Sequence, residues 1–307
     1  MALHRSSGRW RLGLALALVT AGFWATLPAA LKIALDAVDP WTLTWIRFLF
    51  AFVVLGAWLG LRGGLAGFRG LARGHWLLLA LAALALTGNY ILYLLGLHRT
   101  TPGNAQLLIQ AAPLLMALGG LWLFRERYGA WQWLGMAGIV VGLGLFFADQ
   151  MQARGDAGYL TGSLLVLLAA IAWAVYALAQ KQLLERLGSA AILLFIYLFA
   201  SLALLPLADP AALLALRGLP LLMVVYACLN TLGAYGAFAE ALAHWEASRV
   251  SAILALTPLL AVATVEAVHA LAPELLAAER ITTLGWIGAA MVVAGSAMTS
   301  LPRHRAA

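Results

Sequence analysis

Three pairs of polar side chains recur at a spacing of four inside otherwise apolar stretches: Asn89 with Tyr93, Gln106 with Gln110, and Thr231 with Tyr235. That spacing puts both members of a pair on one helix face. Thr87 and Tyr90 accompany the first pair, Asn230 the third, and Thr257 stands beside Pro258. Amides, phenols and hydroxyls of this kind exchange hydrogen bonds; they are not an acid–base or nucleophilic set. Inside a bilayer they have two uses. They glue helices together, at about 0.6 kcal/mol per bond, or they line a route for a polar ligand. A single amide fits either use equally. Recurrence across several stretches favours the route.

Trp24 and Trp173 each stand about a dozen residues into an apolar stretch. Trp10, Trp41, Trp76, Trp131 and Trp286 instead fall where an interfacial belt would lie. The two deep indoles can wall an amphipathic ligand by stacking and cation–π contact, with core packing as an equal alternative. Tyr176, three residues after Trp173, is placed near the same face. Pro28, Pro113 and Pro258 lie inside apolar stretches. Each removes a helix hydrogen bond and frees a carbonyl, which suits a gating hinge or an acceptor for an ammonium group. A static kink is the competing reading, strongest for Pro28.

Ionisable residues inside the stretches are few. Arg47 lies about seven residues in and is expected to snorkel outward toward Asp36 or Asp39 rather than to meet a ligand. Glu266 and Glu240 could couple to protons if buried; contact with water at a membrane boundary is their expected state. His98, His244 and His269 stand near stretch ends and read as interfacial. No P-loop, His-Glu-x-x-His or Gly-x-Ser-x-Gly sequence occurs. The single Cys228 offers neither an internal disulfide nor a cysteine metal cluster. No cofactor and no metal are expected, and the chain does not read as an enzyme. A membrane-embedded enzyme is the remote alternative, because no catalytic set gathers at one depth.

Helices must position these groups. Of the 307 residues, 64% are apolar and 10% charged, against about 45–50% and about 25% in soluble domains. Mean hydropathy is +0.95. A soluble enzyme and a disordered chain are excluded. The net charge of +7 forms no basic helix face, so no nucleic-acid partner is expected. A bilayer-crossing helix needs about 20 apolar residues. Ten stretches qualify: Leu12–Leu35, Trp41–Leu61, Trp76–Leu97, Gly103–Phe124, Ala130–Ala148, Gly158–Leu184, Ala190–Leu207, Leu219–Ala241, Val250–Leu271 and Leu284–Leu301. Alternating segments of about ten residues, the mark of a membrane barrel, do not occur. The first stretch far exceeds the roughly 7–15-residue core of a cleaved signal peptide and is expected to stay.

Lys and Arg placement sets orientation. With a cytoplasmic N-terminus, thirteen of the 19 basic residues fall inside, five outside, and Arg47 within a span. Both termini are therefore expected in the cytoplasm. The chain also repeats itself. Trp133 to Gly142 resembles Trp286 to Gly295; Glu126-Arg127 matches Glu279-Arg280; Pro113-Leu-Leu matches Pro258-Leu-Leu; Trp24 and Lys32 match Trp173 and Lys181, both eight apart. Residues 1–150 and 151–307 thus form two five-span units, and an odd span number turns the second upside down. The fold expected is an all-α integral membrane protein of ten transmembrane helices in two inverted five-helix repeats. Gly138, Gly142, Gly288 and Gly295 make small-residue faces. Packing between the repeats is expected of them, hence a monomer, with a dimer as the alternative.

These residues carry a family resemblance. Five plus five spans, Pro-Leu-Leu in the fourth span of each half, then Glu-Arg and a Gly-spaced fifth span resemble the drug/metabolite transporter superfamily. More narrowly the chain is similar to its ten-helix branch with two EamA-type repeats, and most like the bacterial aromatic amino acid exporters of the YddG type. The resemblance implies an inner-membrane carrier exporting amino acids or related metabolites, aromatic and hydrophobic ones included, by alternating access. A broader metabolite or drug exporter is the alternative. Small multidrug pumps of the same superfamily carry an acid in the first span, whereas Leu12–Leu35 holds no Asp or Glu. Proton-driven export of cationic drugs is correspondingly disfavoured.

Overall fold

The computed structural model describes residues 9–62, 67–68, 70–125, 128–154, 156–245 and 247–300. Glu126-Arg127 of the sequence repeat, and Arg5, Arg69, Arg303 and Arg305 of the charge count, lie outside the described residues. The chain folds into α1 (Trp10–Leu35), α2 (Pro40–Leu61), α3 (Arg73–Arg99), α4 (Pro102–Leu108), α5 (Ala111–Leu123), α6 (Ala130–Arg154), α7 (Ala157–Leu183), α8 (Ser189–Leu204), α9 (Pro210–Ala215), α10 (Gly218–His244), α11 (Ala247–Leu254), α12 (Thr257–Leu271) and α13 (Thr283–Thr299). No strand occurs among the described residues. Among the described residues, nine stretches are long and apolar enough to cross a membrane, with Pro102–Leu123 and Arg249–Leu271 each counted as one. The tenth, α13, is apolar but only 17 residues long.

The polar separators in the sequence turn out to be helix caps. The Asp39 carboxylate accepts from the Trp41 and Thr42 N–H groups at 2.9 and 3.1 Å, with Pro40 at the first helical position of α2. Asp156 accepts from the Tyr159 N–H at 2.8 Å to start α7. Thr101 and Thr282 do the same for α4 and α13. Each satisfies backbone donors that a helix start leaves orphaned.

Burial is inverted relative to a soluble protein. Ala17, Ala21, Ala25 and Ala29 recur every four residues of α1 and are all buried, while Leu18 and Val19 on its other face are exposed. Small residues let helices approach, and large apolar ones face lipid. Trp10, Trp76, Trp131 and Trp286 stand exposed near helix ends, as an interfacial belt requires.

Two expected spans are not continuous. The stretch from Gly103 breaks at Ile109–Gln110, between α4 and α5; the one from Val250 starts at Ala247 and breaks at Ala255–Leu256, between α11 and α12. Each break begins four residues or fewer before a proline. Pro113 has no N–H for the Ile109 carbonyl, which instead accepts from Ala112 N at 2.9 Å. Pro258 deprives Leu254 in the same way, and Leu256 N turns back to Ile253 O at 3.1 Å. Pro28 differs: α1 runs through it unbroken.

Helix pairing follows a regular scheme. α1 lies along α10, α3 along α7, α6 along α13 and α2 along α8; α4 meets α12. The glycine faces are consumed inside the chain. A Cβ on Gly142 would stand 2.6 Å from the Gly288 carbonyl oxygen, and one on Gly135 would stand 2.6 Å from the Gly295 oxygen.

Candidate substrate cavity

A cavity of about 150 Å³ lies among α1, α2, α3, α4, α7 and α10. Most of the residues singled out in the sequence converge on it. Trp24 and Pro28 come from α1, Asn89, Tyr90 and Tyr93 from α3, Gln106 from α4, Trp173 from α7, and Asn230, Thr231 and Tyr235 from α10. The two asparagines are both wall and glue. Asn89 donates to the Ala169 carbonyl of α7 at 2.8 Å, and Asn230 to the Phe23 carbonyl of α1 at 2.7 Å. Each ties its helix to the neighbour it lies along. Tyr93 donates to Gln106 Oε1 at 3.4 Å. Trp24 meets Tyr235 edge-on, with ring centroids 5.7 Å apart.

Two candidates fall elsewhere. Gln110 shares a helix face with Gln106 only if the helix continues, and the break at Ile109–Gln110 turns it off the cavity lining. Tyr176 lies 300° around the helix from Trp173, sixty degrees short of a full turn. It is buried in the core with Phe48 and Tyr197, backing Trp173 at 6.3 Å. Trp173 also borders a second cavity of about 200 Å³, lined by Pro113, Met116, Tyr128 and Lys181. One indole therefore separates two spaces, and Pro113 belongs to the second. Pro258 is buried at the start of α12.

Arg47 corrects the sequence reading. It is 3% exposed and lines the central cavity instead of snorkelling. Its Nε donates to Thr231 Oγ1 at 3.2 Å, and its guanidinium lies 4.8 Å from the Tyr90 ring centroid. Asp39, one proposed partner, is committed to capping α2. Seven residues after Pro40, the guanidinium is about 10 Å along the helix, and Tyr90 and Thr231 give it partners at that depth.

Glu240 and Glu266 are exposed and do not touch the cavity. Glu240 lies 3.1 Å from His244 Nε2, one turn on. Glu266 accepts from the Glu279 N–H at 2.7 Å.

A polar cluster that sequence reasoning missed gathers at the Lys32 end of the bundle. Lys32 Nζ donates to the carbonyls of Leu97, His98 and Thr100 at 2.8, 2.9 and 2.8 Å. Glu279 Oε1 accepts from the Gly103 N–H at 2.7 Å, while its Oε2 is buried without a hydrogen-bond partner. Beside it, buried Asp149 accepts from Gln150 and the Thr282 hydroxyl, and Gln150 accepts from Tyr159 at 3.0 Å. The sequence signal for it is the Glu279-Arg280 pair, which by its spacing alone reads as a repeat marker.

Burial pushes the Glu279 carboxyl above its ordinary 4.5, against the opposing pull of Thr101, Gly103 N–H and Arg154. The native state therefore holds this proton more tightly than the unfolded chain. Its stabilising contribution is complete below the ordinary value and lost as pH rises through the raised one. Glu279→Gln, a neutral isostere, should flatten this contribution. Thermal unfolding in detergent from about pH 5 to about pH 8 should show wild type losing stability with rising pH more steeply than the variant. Parallel curves would remove Glu279 from the account.

Helices apolar on their outer faces and a cavity walled by a few polar groups, with the break after α4 beside it, define a multi-pass helical membrane protein with a ligand-sized central space. The chain belongs to the EamA-like transporter family, which it matches over residues 11–148 and again over 160–301. It is 35% identical over 291 residues to an uncharacterized transporter of Haemophilus influenzae, covering 94% of this chain and 95% of that one. It is 37% identical over 297 residues to the uncharacterized inner membrane transporter YhbE of Escherichia coli K12, covering 96% and 92%. A solved crystal structure is similar in fold, with TM-score 0.60 at 23% identity over 96% of each chain. The protein is a multi-pass protein of the inner membrane.

Proposed function

We propose that this protein exports amino acids, aromatic and hydrophobic ones included, by alternating access around the central cavity. The observation that carries this reading is the cavity lining. Two indoles and a set of neutral hydrogen-bonding groups from five helices surround one small space. An apolar cavity of about 150 Å³ is known to admit benzene, so the space suits a single-ring metabolite better than a large drug. The family supplies transport; the lining supports this kind of cargo.

The mechanism rests on an inverted repeat. Two successive family matches, at 11–148 and 160–301, support it. So does the pairing scheme. Shifting by five spans exchanges α1–α10 with α7–α3, and maps α6–α13 and α2–α8 onto themselves. The breaks before Pro113 and Pro258 sit at matched places, where discontinuous helices in transporters flank the substrate. Rocking of one repeat against the other about those breaks, with Pro28 and Trp173 beside the cargo, opens each end in turn. The basic-residue bias supports an orientation with both termini and the Lys181 end in the cytoplasm and the Lys32 end outside.

Counterflow of radiolabelled amino acids into proteoliposomes tests the reading. Phe, Tyr, Trp or Met should exchange. Gln106→Ala, which removes the partner of Tyr93 on the cavity wall, should slow exchange by roughly tenfold with expression and folding unchanged. Absence of counterflow with every amino acid would defeat the cargo assignment and leave the carrier fold standing. Unimpaired exchange by Gln106→Ala would reduce that amide to helix glue.

A further inference from the structure

We infer that Arg47 is the anion-binding group of the central cavity, so that the substrate it selects carries a carboxylate. The inference rests on the central cavity being the transport site, and narrows the cargo within it. Among the described residues, Arg47 is the one charged residue in the cavity lining. Among the described residues no carboxylate lies within ion-pair distance of it. Its Nε is used by Thr231 and its face by Tyr90. No described group accepts from Nη1 or Nη2.

A buried guanidinium without a counter-ion is costly in a membrane protein and is retained where it has a use. An anion entering the cavity supplies what the protein withholds. Arg presents parallel N–H donors in a planar fork that fits a carboxylate two-to-two. One cation balances one negative charge, which favours a carboxylate over a doubly charged phosphate. Trp24 and Trp173 offer the apolar surface for the rest of the molecule. For the ammonium of an amino acid the described residues of the lining include no acid, only neutral acceptors and rings. The Trp24 carbonyl, freed by Pro28, is the nearest such acceptor in sequence. Selection therefore runs through the carboxylate and not through the amine.

Three one-ring probes separate these contributions: 3-phenylpropionate, with a carboxylate only; phenylalanine, with both groups; and phenethylamine, with an amine only. Each is titrated into the purified full chain in detergent, with tryptophan fluorescence and thermal unfolding as readouts. Both carboxylates should bind, and phenethylamine should bind roughly tenfold to a hundredfold more weakly. Arg47→Gln should abolish the difference, and Arg47→Lys should keep part of it. Phenethylamine binding as tightly as phenylalanine, neither carboxylate binding, or Arg47→Gln keeping the full preference each overturn the inference. Where Arg47→Gln fails to fold, the wild-type series and Arg47→Lys decide. The two readings fail separately. Binding of 3-phenylpropionate with no amino acid binding or exchange removes the amino acid cargo and keeps the Arg47 site. Amino acid exchange with indifference to the carboxylate does the reverse.

Discussion

Gly288→Leu is expected to abolish recovery of folded protein, while Gly144→Ala is expected to change nothing measurable. The two glycines lie on the closely packed pair α6 and α13, and differ only in what surrounds them. A Cβ on Gly288 would meet the Gly142 carbonyl oxygen at 2.6 Å and the Phe146 nitrogen at 2.7 Å. These are backbone atoms, and no rotamer change moves them aside. The helices would have to separate, opening the interface where Phe146, Ala289 and Val292 are buried together with Leu107. Between helices in lipid there is no hydrophobic drive to compensate for lost contact; close packing is itself the attraction. The cost should reach about 3 kcal/mol, the upper part of the over-packing range. At Gly144 a Cβ meets nothing within 4 Å, so Gly144→Ala should stay within about 0.5 kcal/mol. Monodisperse yield and the thermal midpoint in detergent read both. If Gly288→Leu gave a stable monomer and lost only a dimer, the glycine face would be an intermolecular one and the α6–α13 packing would be wrong.

The same pair marks how far the sequence could be read. The Gly138, Gly142, Gly288 and Gly295 faces were visible as small-residue spacing, and their partner within the chain followed from the repeat. Span positions were visible because apolar length in a membrane leaves few alternatives. The convergence of Asn89, Tyr93, Gln106, Asn230 and Tyr235 was visible because a polar group in an apolar helix must face the bundle. What failed was local geometry. The break at Ile109–Gln110 is a consequence of the bond Pro113 removes, whereas the four-residue spacing of Gln106 and Gln110 presumes a continuous helix, so Gln110 leaves the lining. Tyr176 is a three-residue step from Trp173, short of a full turn, and packs in the core. Arg47 failed for another reason. The cost of burying a charge is readable from one helix, but the partners that offset it come from α3 and α10. Nothing in the neighbourhood of residue 47 announces Tyr90 or Thr231.

Lys32→Met should open the cavity at the Lys32 end, and Lys181→Met should open it at the other. The two lysines are eight residues after Trp24 and Trp173, at opposite ends of the bundle in the inverted arrangement proposed above. Lys32 fastens α1 to the last turn of α3 through three carbonyls, which a helix C-terminus leaves unsatisfied. An ammonium there also complements the negative end of the helix dipole. Lys181 lies over the Phe124 ring, 4.6 Å from its centroid, joining α7 to the end of α5. Methionine keeps the length of each side chain and removes the donors and the charge. Losing the Lys32 contacts should cost the closed state about 1.5–3 kcal/mol, discounted because one carbonyl is water-exposed. A shift of about 1.4 kcal/mol moves a two-state equilibrium tenfold. With Gln106→Cys as the reporter in a Cys228→Ser background, a membrane-impermeant maleimide added outside should label Lys32→Met roughly tenfold faster than the parent. Lys181→Met should label more slowly, because the opposite opening is favoured. Equal rates in all three would show that these lysines hold no gate. Faster labelling of Lys181→Met from outside would reverse the orientation derived from the basic residues, while leaving the two-ended mechanism in place.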